Sequence, residues 1–200
     1  MGGPGRADAV AAASHMVMES APRVDIVHFT ASRPLLDSVS ASPSLAPALA
    51  ADGPVGGNGG LGGVWHEIGG VLKGRFRWVR ASFPAVALTT DTSALTCIGN
   101  DYGFEAVFER QVQALGREGD CLVCISTSGR SANVLRAAHA GARAGLVTIA
   151  LTGGDEASPL AACCEHRVAV PGSVTARVQE AHIFIGHAWC SLVEAHFGLA

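Results

Sequence analysis

The stretch CLVCISTSGRSANVLRAAHAGARAGLVTIALTG, residues 121–153, decides the fold. Its first part, CLVCIS (121–126), is a short apolar run that follows Asp120 and reads as a strand buried on both faces. LVTIAL (146–151) is a second run of the same kind. Between them SANVLRAAHAGARA (131–144) places apolar residues at helical spacing. A strand, a helix and a strand in succession make a parallel pair joined by a crossover. Working outward, AVALTT (85–90) and HRVAV (166–170) read as further strands, GFEAVFERQVQAL (103–115) as a helix, and TARVQEAHIFIGHAWCSLVEAHF (175–197) as a long amphipathic helix. The alternation predicts an α/β three-layer sandwich, a parallel sheet flanked by helices. Ligands of such sheets sit beyond the carboxyl ends of the strands, where loops lead into helix N-termini.

The rest of the chain sets the bounds. Two hundred residues, 48% hydrophobic and 16% charged, can bury a sizeable core. No apolar run reaches the ~18 residues of a membrane-spanning helix. A formal charge of −3, from 14 basic and 17 acidic residues, offers no footprint for a phosphate backbone, which argues against nucleic acid as a partner. Residues 1–22 read as a mobile N-terminal tail, and 23–200 as one domain whose first part, 24–51, is compatible with two short helices broken at Pro34 and Pro43. The opening segment holds Arg6 and Asp8 and lacks the apolar core of a secretory signal, so the expected location is cytoplasmic. The six cysteines form no zinc-knuckle pattern, and Cys121 and Cys124, although spaced C-x-x-C, fall inside a buried strand and read as structural.

Three segments carry candidate chemistry. In ISTSGRSANVL (125–135) the hydroxyls of Ser126, Thr127, Ser128 and Ser131 crowd the start of a helix. A phosphate there would meet backbone N–H groups and the positive end of the helix dipole; the plainer reading is a serine-rich turn with an ordinary cap. GGNGG (56–60) either lets the backbone approach a ligand closely or is a flexible turn. On the last helix Gln179 and His187 are eight residues apart, about 80° around the axis, so both can reach one cavity. Glu180 aligns with His187 better still, and His182 reads as structural or interfacial. A histidine on an apolar helix can equally be a satisfied core residue.

Taken together, GNGG (57–60), PAVAL (84–88), TCIGNDYGFEAVFERQVQALGREGD (96–120), ISTSGRSANVL, IALTG (149–153) and RVQEAHIFIGHAWCSLVE (177–194) resemble the sugar isomerase (SIS) domain family, and within it the phosphoheptose isomerases. The resemblance covers about residues 56–197. It implies a five-stranded, flavodoxin-like parallel sheet and a homotetramer with active sites between subunits. It also implies an aldose–ketose isomerase that converts sedoheptulose 7-phosphate to a heptose 7-phosphate. Ser126, Thr127, Ser128 and Ser131 would then hold the phosphate, Asn58, Gly59 and Gly60 would line the substrate, and Asn100 and Asp101 would touch it. Gln179 and His187 would be zinc ligands, with His187 also placed to move protons.

The segment after GNGG departs from the family's pattern. It reads LGGVWHEIGGVLKGRF, with Leu61 where the family has a phosphate-binding Ser, Glu67 at a metal-binding His position and Val71 at the catalytic Glu position. Glu67, with His66 beside it, is the candidate replacement for metal binding and acid–base work. Glycines at 62, 63, 69, 70 and 74 make a poor helix, and SLAPALAADGPVGG shows no apolar strand leading into GNGG. An isomerase with a rearranged site is one expectation; a sugar-phosphate-binding relative without turnover is the other.

Overall fold

The computed structural model describes residues 53–58, 60–154 and 157–198, so the segments expected as tail (1–22) and helices (24–51) lie outside the described residues. In chain order the elements are β1 (Gly53–Gly57), α1 (Gly60–Lys73), β2 (Ala85–Ala87), α2 (Thr92–Tyr102), a 3-10 turn (Phe104–Ala106), α3 (Glu109–Leu115), β3 (Cys121–Ser126), α4 (Ala132–Arg143), β4 (Val147–Gly153), α5 (Pro159–Cys163), β5 (His166–Val170) and α6 (Thr175–His196). Among the described residues five strands form one parallel sheet in the order β2-β1-β3-β4-β5. β1 has β2 on one side and β3 on the other, so the order reverses between β1 and β3, the point where sheets of this kind place a ligand crevice beyond the carboxyl ends of their strands. No helix among the described residues is long and apolar enough to cross a membrane.

The layers follow from side-chain alternation along the central strands. All six residues of β3 are buried. Leu122 and Cys124 join Val134, Ala137 and Ala138 of α4, together with Val107, Phe108 and Val112, in one apolar cluster. On the opposite layer α1 packs on α6: Trp65 and Trp189 lie 5.7 Å apart, and both are buried. A Cβ on Gly186 would sit 3.1 Å from Ile68 and 3.2 Å from Trp65, so glycine is what lets the two helices approach here.

Two expectations need correction. GPVGG (53–57) is a strand, although it holds a single β-branched residue. It is stabilised from both sides, Val55 pairing with Ala87 of β2 and with Val123 of β3, so ladder hydrogen bonds replace the apolar run that usually marks a buried strand. Pairing with β3 begins at Val55, after Pro54, so the missing N–H of the proline breaks no ladder on that side. The glycine-rich segment 60–73 is a helix despite a propensity cost of up to ~1 kcal/mol per interior glycine. Burial of Trp65 and Ile68 against α6 outweighs it, as tertiary packing generally outweighs propensity. Smaller differences have local causes. β2 stops at Ala87 because Thr90 turns back on the Ala87 carbonyl and Asp91 then caps α2 through Ala94 N–H, 2.9 Å. The helix expected over 103–115 starts late because Gly103, at φ 86°, separates α2 from the 3-10 turn.

Candidate active site

β3 delivers the hydroxyl loop to the crevice and α4 leaves from it. Ser131 occupies the N-cap position of α4, yet its hydroxyl makes no capping bond; it lies 3.0 Å from the Ser126 hydroxyl, which is also 3.4 Å from that of Ser128. In the first turn of α4 the Val134 N–H goes to the Asn133 side-chain oxygen at 2.9 Å, and no N–H there is taken by the cap serine hydroxyl. The loop folds sharply at Gly129, φ 62°, with the Gly129 N–H on the Ser126 carbonyl at 3.0 Å. A Cβ at 129 would collide with Ser158, the N-cap of α5, and the Gly129 carbonyl accepts the Leu160 N–H at 3.1 Å. The loop is therefore set against α5 on one side and β4 on the other, where Gly153 N–H donates to the Thr127 carbonyl at 3.0 Å.

Across the switch point Asn58 and Asn133 form a reciprocal amide pair, Asn58 Nδ2 to Asn133 Oδ1 at 2.9 Å and Asn133 Nδ2 to Asn58 Oδ1 at 2.8 Å. This pair ties the loop after β1 to the first turn of α4. Thr127, Ser128 and Arg130 then form one wall of a cavity of about 520 Å³, and Gly172 and Ser173 of the β5–α6 connection, with Thr175 and Val178 of the first turn of α6, form another. Ser173, Thr175 and Asn133 were not singled out from sequence. The signal for the first two is the hydroxyl pair in GSVT, just where a long helix begins.

The remaining candidates are dispersed. Gly59 lies outside the described residues, and Gly60 opens α1. Asn100 and Asp101 sit exposed near the end of α2, bonded to one another at 2.7 Å. Glu67 and His66 are exposed, on a different face of α1 from the buried Trp65 and Ile68. Gln179 is half-buried next to Val178, and the half-buried His187 stacks on Phe76, ring centroids 5.7 Å apart and planes 12° from parallel. His182 is fully buried with Nε2 3.1 Å from the Thr152 carbonyl, which requires the proton on Nε2. Burial pushes this imidazole below its ordinary value despite that bond, so it stays neutral and structural.

The family model for the SIS domain matches residues 39–153, more than half of the chain. The chain belongs to the SIS domain family. Within this family it is 51% identical over 141 residues to a phosphoheptose isomerase of Nitratiruptor sp., covering 70% of this chain and 75% of that protein. It is 47% identical over 161 residues to one from Maridesulfovibrio salexigens, covering 80% and 78%. The solved structure of phosphoheptose isomerase from Neisseria gonorrhoeae superposes with a TM-score of 0.72 at 38% identity, over 95% of this chain and 97% of that one. The chain is thus a SIS domain of the phosphoheptose isomerase type.

The zinc site implied by that kinship does not close among the described residues of the chain. Among the described residues no three His, Cys, Asp or Glu side chains gather where they could hold one metal ion. Glu67 is exposed, and position 71, one turn further along the same face of α1, is a valine with no donor atom. Gln179 and His187 are left as two donors from one helix, short of the three protein ligands of a catalytic zinc.

Proposed function

We propose that the protein is an aldose–ketose isomerase acting on sedoheptulose 7-phosphate, with D-glycero-D-manno-heptose 7-phosphate as its product. The observation that carries this reading is the Ser131 hydroxyl, which stands at a helix N-cap but is turned to Ser126 instead of to the helix. Ser126, Thr127, Ser128 and Ser131 would ligate the 7-phosphate at the positive end of the α4 dipole. Asn58, Gly59 and Gly60 would lie along the sugar, with Gln179 above it. The relatives' shared name supplies the reaction class.

The chemistry moves one proton and one carbonyl. A base removes the proton from C1 of the ketose, and the electron pair left behind forms the C1–C2 double bond of an enediolate whose charge rests on O2. Return of the carbon-bound proton to C2, with the O1 proton passing to O2, leaves the carbonyl at C1 and a hydroxyl at C2. His187 is assigned as the group that carries the carbon-bound proton, and Glu67 as the second acid–base group. No step is routed through a metal, since the donors among the described residues do not form a site for it.

Glu67, Asn100 and Asp101 are exposed in the single chain, and Asn100 and Asp101 stand next to the exposed aromatic rings of Tyr102 and Phe104. This supports placing them in sites shared between subunits of a homotetramer. Light scattering should then return about four chain masses; a monomer at micromolar concentration would remove that assignment. Six cysteines, none in a disulfide, are compatible with the cytoplasmic location assigned to the protein.

The test is conversion of sedoheptulose 7-phosphate followed by NMR. Ser126→Ala combined with Ser128→Ala is expected to weaken affinity for the sugar phosphate by about 10- to 100-fold, two charge-assisted hydrogen bonds being lost. Unchanged affinity would take the phosphate away from this loop.

A further inference from the structure

We infer that Glu194 and Phe76 are positioning residues for His187: the Glu194 carboxylate fastens the loop that follows α1, and that loop holds the Phe76 ring parallel to the imidazole in an offset stack. The catalytic consequence rests on the assignment of His187 as the proton carrier.

The fastening is unusually complete. Glu194 lies on α6 with its side chain 3% exposed, and its oxygens accept the backbone N–H groups of Phe76 at 3.2 Å and Arg77 at 3.1 Å, with Trp78 at 3.5 Å. The Arg80 side chain, 2% exposed, donates its Nε–H to the same carboxylate at 3.2 Å. The other two guanidinium nitrogens of Arg80 donate to the Leu72 and Val71 carbonyls at 2.7 and 3.0 Å, closing the last turn of α1. Burial alone would push the Glu194 carboxyl up, but the N–H groups of Arg77, Phe76 and Trp78 and the Arg80 guanidinium together hold it below its ordinary value. It remains a charge. A buried charge removed from its partners is strongly destabilising, so the loop is pinned wherever this carboxylate goes.

What the loop presents is one ring. Glu194 and His187 are seven residues apart on α6, two turns along nearly the same face. Neither ring nitrogen of His187 has a hydrogen-bond partner among the described residues, so the 12° stack on Phe76 is what fixes the plane of the imidazole. Stacking occupies the face of the ring and leaves its edge, where both nitrogens lie, open for proton transfer. A proton carrier needs that arrangement, because an imidazole that swings about its χ2 bond loses reach and angle together.

The experiment combines NMR of the histidine ring C–H signals with steady-state kinetics, using His187→Gln to identify the His187 resonances. In the unsubstituted protein these signals should lie upfield, shielded by the Phe76 ring. Phe76→Leu and Glu194→Gln should both move them downfield and lower kcat about tenfold, with inhibition by inorganic phosphate changed less than about twofold. Phe76→Tyr, which restores a flat ring, should keep both the shifts and the turnover. Unmoved shifts in Phe76→Leu would overturn the proposal, as would equal losses for Leu and Tyr, or moved shifts with turnover unchanged. Should Glu194→Gln fail to fold, the Phe76 pair decides alone. No turnover in the unsubstituted protein would overturn the isomerase reading instead, and the shifts would still report whether the stack exists.

Discussion

Replacing His187 by Gln is expected to lower turnover of sedoheptulose 7-phosphate by about 10²- to 10⁴-fold, the usual worth of a positioned acid–base group. The amide retains polarity and much of the volume but cannot take up and release a proton. With the phosphate assigned to the β3–α4 loop at the other end of the substrate, KM should change by less than about threefold, so the loss falls on kcat. The half-buried setting of His187, on a helix otherwise packed through Ile185, Trp189 and Val193, means that the substitution leaves the core in place. A second readout separates chemistry from folding. Exchange of the C1 hydrogen of the substrate with solvent deuterium should fall in parallel with turnover, while urea unfolding stays unchanged. Turnover within twofold of the unsubstituted protein would move the proton-transfer role elsewhere.

Gly129→Ala is the second large effect. The substitution forces an alanine into φ 62° and drives its methyl into Ser158, whose hydroxyl accepts the Ala161 N–H at the start of α5. Strain and overpacking together should cost about 2–5 kcal/mol in urea unfolding. Affinity for sugar phosphates should fall with it, since the loop must lift from α5 to make room. Gly119→Ala provides the contrast: φ there is 87°, but nothing lies within 4 Å of the added methyl, so only the conformational part, about 1 kcal/mol, is lost. Equal losses at the two positions would mean that contact with α5 does not shape the phosphate loop.

The four strands β2 to β5 were legible because each is a compact apolar run, and α4 and α6 because their apolar spacing is helical over many residues. β1 and α1 were not, and for one reason. Both are glycine-rich, and both exist through partners far away in the chain, β1 through two ladders and α1 through the Trp65 and Ile68 contacts with α6. Local pattern cannot report a stabilisation that lives in another element. The site divides in the same way. The hydroxyl loop announces itself within six residues, whereas the second cavity wall at Ser173 and Thr175 looks like an ordinary connection until the fold brings it opposite Ser128. The contact between Phe76 and His187 has no local signature at all. The departures in the segment 61–74 were read too severely as changes of structure, since the segment is helical.

The reciprocal Asn58–Asn133 pair also bears on how such a protein can change over generations. Each amide uses both its donor and its acceptor on the other, so an aspartate at either position sets two acceptors face to face, and an alanine strands a half-buried amide at a cost of about 1–3 kcal/mol. A single step at either position is therefore selected against, even if the double replacement by two complementary or two apolar side chains is tolerated. Drift at this point has to pass through both positions together, which makes the crossing between β1 and α4 a coupled pair of positions.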